Sequence, residues 1–410
     1  MPQEHSTANR ITLAPMTLAR GRHLVSIPGP SVIPDRVLSA MHRAMPNIYE
    51  GALVEMSKGI LAEIPSLART EGHGFIAITN GHGAWDMALS NTLSKGETVL
   101  VLESGHFAPG WGNQAAMMGL NVETLNARPR RAVDPAAVEE RLRQDTEHMI
   151  KAILVVQVDT ATSVWNDIAA IRKAIDAAGH PALYMVDCIA SLACMPYEMD
   201  EWGVDVTVGG SQKGLMVPPG LGFTWANENA MAAHEKADLR TSYWDWTKRL
   251  SGDSHYWRYA GTPPISHLYA LREALDMIAE EGMENIWARH AVFGGAVRAA
   301  IEAWRAPGGL ECAMLEPAER SNSVTTVMTN DINPKHLRAV CEDEGGLTLG
   351  IGLGESEDKV FRIGHMGHLS PPMVLGTLAT IEAALTAMGA PMGGSGIAAA
   401  SARAAQAMKA

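Results

Sequence analysis

Between Phe75 and Val208 short apolar runs alternate with amphipathic stretches, and this alternation limits the possible folds more than any other feature of the chain. Strands are expected at 75–80, 98–103, 121–125, 151–158, 182–187 and 204–208, with helices between several of them. Residues 165–178 illustrate the helical kind: Ile168, Ile171 and Ile175 fall on one face, Asp167 stands early, and Gly179 and Pro181 stop the helix. Regular strand–helix alternation predicts an α/β fold with a mainly parallel sheet covered by helices on both faces. In such sheets ligands bind at the carboxyl ends of the strands. A long helix is expected from about Ile265 to Glu281. Beyond about residue 285 the pattern changes to helices at 334–344 and 371–388 with strands at 323–329 and 359–364, a smaller α+β unit. The expected division is an N-terminal arm at 1–22, a large domain at 23–284, a small C-terminal domain at 285–391 and an Ala/Gly-rich, weakly ordered tail at 392–410.

The stretch from Leu183 to Leu215 carries the clearest chemistry. One apolar run ends in Asp187, which delivers a carboxylate at a strand end; a second, Val204 to Val208, leads into Gly209-Gly210-Ser211-Gln212-Lys213-Gly214. Glycines on both sides of one lysine let the backbone bend tightly and come close to a ligand. A lysine partly removed from water has a lowered pKa and can attack a carbonyl as the free amine. A carboxylate on the neighbouring strand can pair with a pyridinium nitrogen. Lysine and aspartate in these two roles are the protein's usual contribution to pyridoxal phosphate chemistry. A lysine in a Gly-rich loop is by itself more often simply solvated, so the pair draws its meaning from the surrounding sequence.

Several function classes are excluded by simpler features. A formal charge of −12 argues against a nucleic-acid partner, which would require a basic face. No apolar run reaches the ~18 residues of a membrane span, and the first residues, with Arg10 and Arg20, lack the apolar core of a secretory signal. Cys188, Cys194, Cys312 and Cys341 show no metal spacing, and a reducing cytoplasm is their natural setting. The 15 histidines include no HExxH, so no metal is expected. The strand turns also lack a well-placed GxGxxG, which speaks against a dinucleotide enzyme.

The segments Val186-Asp187-Cys188-Ile189-Ala190-Ser191-Leu192, Gly210-Ser211-Gln212-Lys213-Gly214 and Pro218-Pro219-Gly220-Leu221 resemble the fold-type I pyridoxal phosphate (PLP) enzymes of the class V aminotransferase family. Within that family the chain looks most like the alanine–, serine– and aspartate–glyoxylate group. The resemblance extends from Pro28-Gly29-Pro30-Ser31 to Arg362-Ile363-Gly364-His365. It implies a fold-type I PLP-transferase: a large domain with a mainly parallel seven-stranded sheet, plus a smaller C-terminal α+β domain. One departure is Pro46-Asn47-Ile48-Tyr49-Glu50-Gly51, where the family often has a His-Arg-Ser-Pro-like stretch.

The resemblance also implies roles. In Thr79-Asn80-Gly81-His82-Gly83, glycine-flanked amides at a helix start suit an anion, and Asn80, Gly81 and His82 match the family's phosphate turn. Phe107 matches the aromatic that stacks on the pyridine ring, with Trp111 the competing candidate. In Asp159-Thr160-Ala161-Thr162-Ser163, Thr160 matches the hydroxyl near the phenolic oxygen, with Thr162 as the alternative. Asp187 is the expected pyridinium partner, Ile189 a ring contact on the opposite face, Gln212 a phosphate or ring contact, and Lys213 the amine that binds the cofactor covalently. Tyr259 and Thr262 match a Tyr-x-x-Thr that reaches the neighbouring subunit's phosphate in the family's dimers; Thr262 followed by Pro263 equally suits a helix cap. Arg362 matches the arginine that grips the substrate α-carboxylate, a planar fork suited to that group, although an arginine in an apolar strand can also serve a structural ion pair. Gly29 borders the expected substrate pocket. Arg240 is the candidate second cation for a dicarboxylic donor, or else a surface ion pair.

Together these residues imply a cytoplasmic, homodimeric PLP-dependent aminotransferase with shared active sites. It would move the amino group of serine, aspartate or alanine to glyoxylate. The alternatives are another class V enzyme, such as a pyruvate-using aminotransferase, or a cysteine desulfurase or lyase. A desulfurase needs a reactive cysteine in a mobile segment late in the chain, whereas Cys341 falls in an expected helix.

Overall fold

The computed structural model describes residues 17–251 and 254–408. Most of the expected N-terminal arm, residues 1–16, lies outside the described residues. The strands, in chain order, are β1 (Leu24–Ser26), β2 (His73–Thr79), β3 (Thr98–Leu102), β4 (Asn121–Leu125), β5 (Ile150–Val156), β6 (Val158–Asp159), β7 (Val164–Trp165), β8 (Leu183–Asp187), β9 (Val206–Gly210), β10 (Gly220–Ala226), β11 (Glu311–Cys312), β12 (Val324–Met328), β13 (Leu347–Ile351) and β14 (Val360–Gly364).

Seven of them form the main sheet in the order β2-β10-β9-β8-β5-β3-β4. Its neighbours are parallel from β9 through β8, β5 and β3 to β4, while β10 runs antiparallel to both β2 and β9. All strands but β10 therefore point their carboxyl ends to one edge. The mainly parallel seven-stranded sheet expected from the sequence is present, but its seventh member, β10, is not legible there. Gly220 and Gly222 interrupt its apolar alternation, yet it pairs with β2 along its whole length.

Period-2 side-chain alternation feeds two cores, one on each face. Val99, Val101, Leu154 and Val156 pack on one side, and Leu100, Leu102, Ile153 and Val155 on the other. The helix Ile168–Ala178 covers the second face with Ile168, Ile171 and Ile175 buried. Asp167 caps its start by accepting Ala170 N–H at 2.9 Å, and Gly179 ends it in the left-handed region. Each such isoleucine contributes about 1.5–3 kcal/mol on leaving water.

A five-stranded sheet in the order β1-β13-β14-β12-β11 forms the smaller unit, antiparallel except for the β1–β13 pair. The segment expected to open the large domain at residue 23 thus starts with three residues, Leu24–Ser26, built into the other sheet. Helices Ile265–Glu281 and Met283–Trp304 join the two units, with Gly282 between them at φ 84. The tail also departs from expectation, because Gly396–Ala405 is a helix packed on Met283–Trp304. Glu382 organises it by accepting from Trp304 Nε1 at 2.8 Å, Ser395 Oγ at 2.9 Å and Ile397 N–H at 3.0 Å. A small-residue composition reads as weak order when the anchoring acid lies well upstream. Among the described residues no helix is long and apolar enough to cross a membrane, and no His/Cys/Asp/Glu cluster could hold a metal.

Candidate active site

The carboxyl edge of the main sheet gathers the chemistry-bearing residues around a cavity of ≈ 230 Å³. Asn80 and Gly81 follow β2, Phe107 opens the helix after β3, Thr160 follows the β5–β6 region, Asp187 ends β8, and Gln212 and Lys213 follow β9. Asn80, Gly81, His82, Phe107, Thr160, Asp187, Ile189, Gln212 and Lys213 all line this one space.

At its deep end Asp187 is buried, and each carboxylate oxygen takes one donor from the protein. Trp85 Nε1 donates to Oδ2 at 2.8 Å and Ile189 N–H to Oδ1 at 2.7 Å. Burial still pushes the Asp187 carboxyl up to about 7; the nearby Asp159 charge adds to this and the Lys213 charge opposes it. Burial likewise pushes the Lys213 amine down to about 8, helped by the Arg362 charge. An acid and an amine that both titrate near neutrality thus face the same small space.

Lys213 is held by the Pro28–Ser31 turn. Its amine donates to Pro28 O, Ser31 N–H donates to Gln212 O at 2.9 Å, and Ser31 Oγ donates to Lys213 O at 2.7 Å. Gly29, at φ 96, lies so close that a Cβ there would run into the Lys213 chain. Only glycine tolerates both that conformation and that approach.

Arg362 of β14, which does not itself line this cavity, is buried and reaches Thr160 of the main unit. Its Nη1 donates to Thr160 O at 3.0 Å and its Nε to Ile351 O at 2.5 Å. Burial lowers its pKa to about 10, with the Asp159 charge opposing. No acidic partner within ion-pair distance is found for Arg362 among the described residues. Asp159 accepts Phe107 N–H at 2.7 Å and Ala161 N–H at 2.9 Å, so one carboxylate fixes the helix carrying Phe107 to the loop carrying Thr160.

Other expected residues lie elsewhere. Trp111, the competitor of Phe107, is buried behind the cavity, stacked on Trp85 at 5.8 Å between ring centroids. Thr162 turns away to donate to Ser104 O at 3.1 Å. Tyr259 is buried with its hydroxyl bonded to Ser57, and Thr262 is exposed; neither lines the cavity of its own chain. Arg240 is exposed and donates to Ala237 O at 3.0 Å. Two residues escaped sequence reasoning, Trp85 and Asp159. Trp85 stands four positions after Gly81 on the helix Gly81–Thr92, hence near the face of the phosphate turn. Asp159 shows the same signal that singled out Asp187, an acid closing a strand.

The donor set fits PLP. Gln212 Oε1 is buried without a hydrogen-bond partner and borders the cavity. Gly81 packs against Ile189 on the cavity wall, so closely that a Cβ at Gly81 would collide with Ile189 Cδ1. Asn80 caps the helix at the proposed phosphate end, with its Oδ1 accepting His82 N–H at 3.1 Å. An acid for a ring nitrogen and an amine for an aldehyde stand at the right kinds of position.

Comparison with known proteins gives consistent matches. A family model for Aminotransferase class-V matches residues 76–355. A serine–glyoxylate aminotransferase of Arabidopsis thaliana is 40% identical over 386 residues, covering 93% of this chain and 95% of the relative. An L-aspartate–glyoxylate aminotransferase of Paracoccus denitrificans is 36% identical, covering 92% and 94%. Among solved structures, a pyridoxamine–pyruvate aminotransferase of Mesorhizobium loti superposes with a TM-score of 0.85 at 27% identity, covering 95% of this chain and 98% of the other.

Proposed function

The chain belongs to the class V aminotransferases, PLP-dependent enzymes, and on that footing we propose that it transfers the amino group of a small L-amino acid to glyoxylate, giving glycine. Serine, aspartate and alanine are the donors considered. The observation that carries this reading is the small cavity with Lys213 and Asp187 on its wall, in a chain 40% identical to a serine–glyoxylate enzyme.

PLP supplies, when bound, an aldehyde that takes up the amino group and a ring that accepts the electron pair released at the substrate Cα. The protein's own residues do the rest. Lys213 binds the cofactor and, once freed, acts as general base and acid that moves the Cα proton. Its lowered pKa leaves a useful share of neutral amine near neutral pH. Asp187 keeps the ring nitrogen protonated. Asn80, Gly81 and His82 would hold the phosphate end, Gln212 the phosphate or the ring, Phe107 and Ile189 the ring faces, and Thr160 would hydrogen-bond near the phenolic oxygen. Arg362, with Gly29 lining the approach, takes the substrate carboxylate. With a single arginine in that role, a monocarboxylic donor needs no second cation.

The working unit is a homodimer with shared active sites. Thr262 is exposed outside its own chain's cavity, and Tyr49, Tyr243, Tyr256 and Trp257 leave aromatic surface uncovered. Tyr259, buried against Ser57, supports this segment from within its own chain. Four free, buried thiols accord with a cytoplasmic setting. The test is a half-reaction screen: amino acids are added singly to the holoenzyme and the cofactor's absorbance is followed to its amine form. Glyoxylate should restore the starting spectrum faster than pyruvate or 2-oxoglutarate. Faster reversal by either of those would overturn the acceptor assignment.

A further inference from the structure

We propose that Trp85 is a positioning residue for Asp187, its indole N–H holding the carboxylate ionised and aimed at the cofactor's ring nitrogen. The inference rests on the reading of Asp187 as the partner of that nitrogen.

Asp187 receives two protein hydrogen bonds, one on each oxygen, and the only side-chain donor among the described residues is Trp85. Both side chains are buried, Trp85 at 1% and Asp187 at 3% exposure. Hydrogen bonds to the charged form of a buried acid are what keep it charged. Each oxygen retains acceptor capacity beyond its one donor, which leaves the carboxylate able to accept a pyridinium N–H. The titratable groups around Asp187 do not replace the indole. Asp159 pushes the proton affinity up, the Lys213 charge lowers it less than the indole hydrogen bond does, and Cys188 and Tyr197 are buried and held neutral by desolvation.

The indole itself is held on two sides. Trp111 stacks on it at 5.8 Å with planes 11° apart, and the His82 ring lies 4.7 Å away at 60°. Such aromatic contacts fix ring orientation as well as burying area. Trp85 also belongs to the helix Gly81–Thr92, whose first turn is the phosphate end of the site. One rigid element thus sets the spacing between the phosphate-binding turn and the acid at the opposite end of a flat ligand. A residue without an N–H at position 85 would leave Asp187 with a single backbone donor in an apolar box, where the acid keeps its proton.

The test is a double-mutant cycle on cofactor retention, read by equilibrium dialysis of the holoenzymes and so independent of turnover. The four proteins are the parent, Trp85→Phe, Asp187→Ala and the double variant. With Asp187 present, Trp85→Phe should raise the cofactor dissociation constant on the order of tenfold or more, the loss of one hydrogen bond to a charged group. In the Asp187→Ala background the same change should matter less than about twofold, since the acceptor is gone. An equal loss in both backgrounds would show that Trp85 acts through cavity shape and would overturn the proposal. An Asp187→Ala holoenzyme that transaminates at nearly the parent's rate would instead overturn the reading of Asp187 itself. Should Trp85→Phe not fold, the indole N–H resonances of [15N]Trp-labelled holoenzyme decide. One of the ten indoles should shift strongly on Asp187→Asn, and the absence of any responding indole refutes the bond.

Discussion

Replacing Asp187 by asparagine should make the cofactor-free protein more stable than its parent above neutral pH, at the expense of function. Burial lifts this carboxyl from its ordinary 3.8 to about 7. A carboxyl whose folded-state pKa is raised binds its proton more tightly in the folded chain. Its stabilising contribution is therefore complete below about pH 3.8 and is lost as pH rises through about 7. At about 1.4 kcal/mol per pKa unit, the ionised carboxylate costs the folded chain about 4 kcal/mol by pH 8, of which about 3 kcal/mol accrues above pH 5. Asparagine carries no such pH dependence. Its one oxygen can accept from Trp85 or from Ile189 but not ideally from both, a constant cost of about 1–3 kcal/mol. Urea titrations of both apoproteins at about pH 5 and about pH 8 measure the difference. The parent should lose about 3 kcal/mol relative to Asp187→Asn across that interval. Parallel profiles would refute the claim that an uncompensated carboxylate is buried there. Saturating cofactor should abolish the parent's loss, because the ring nitrogen supplies the missing positive charge.

Borohydride reduction of the holoenzyme followed by peptide mapping should place the cofactor mass on Lys213, and a label on any other lysine would sink that assignment. Because burial and the Arg362 charge lower the Lys213 amine to about 8, cofactor capture by the apoprotein should accelerate with pH, with a midpoint near 8; stopped-flow absorbance checks this, and a midpoint above 10 would contradict it. Arg362→Lys should raise KM for every amino donor by at least about tenfold, since an ammonium does not reproduce the fork; steady-state kinetics with an unchanged KM would rule out carboxylate binding there. Mixing inactive Lys213→Ala with an inactive Thr262→Ala variant should regain activity through hybrid dimers, and no recovery after demonstrated subunit exchange would mean that each site is built within one chain.

What the sequence made legible is what local pattern encodes. The strands Leu183–Asp187 and Val206–Gly210 stand out because their residues are mostly apolar and buried, and helix Ile168–Ala178 because its isoleucines recur at helical spacing. Lys213 stands out because glycines bracket it. The remainder depends on partners distant in sequence. Strand β10 is stabilised by β2, 141 residues earlier by its Gly220–Thr79 pairing, and nothing inside Gly220–Ala226 announces an antiparallel strand in a parallel sheet. The helix Gly396–Ala405 depends on Glu382 and on the face of Met283–Trp304. Trp85 reads as an ordinary apolar position in a helix, and its indole becomes functional only where the fold sets it against a carboxylate 102 residues away. Tyr259 shows the converse, a motif residue whose hydroxyl is taken up by its own chain at Ser57.

The same logic accounts for the geometry around Arg362. This residue belongs to the smaller sheet, yet in its proposed role it addresses a substrate bound at the larger one. Its Nη1 reaches the Thr160 carbonyl, and that peptide lies between the two groups, Asp159 and Ala161, tied together by the Asp159 carboxylate. Asp159 also anchors Phe107 N–H, so the arginine, the hydroxyl of Thr160 and the aromatic ring share one buried fixed point. Its charge acts in opposite senses on the two functional groups it faces, keeping Arg362 cationic while raising the proton affinity of Asp187. A neutral residue at 159 would relieve the second effect and forfeit the first. In the proposed reaction Arg362 needs its charge to hold the substrate's anion, whereas Asp187 would regain its charge from the bound cofactor. An acid at the end of the β5–β6 strand region thus favours the charge of Arg362 and opposes that of Asp187.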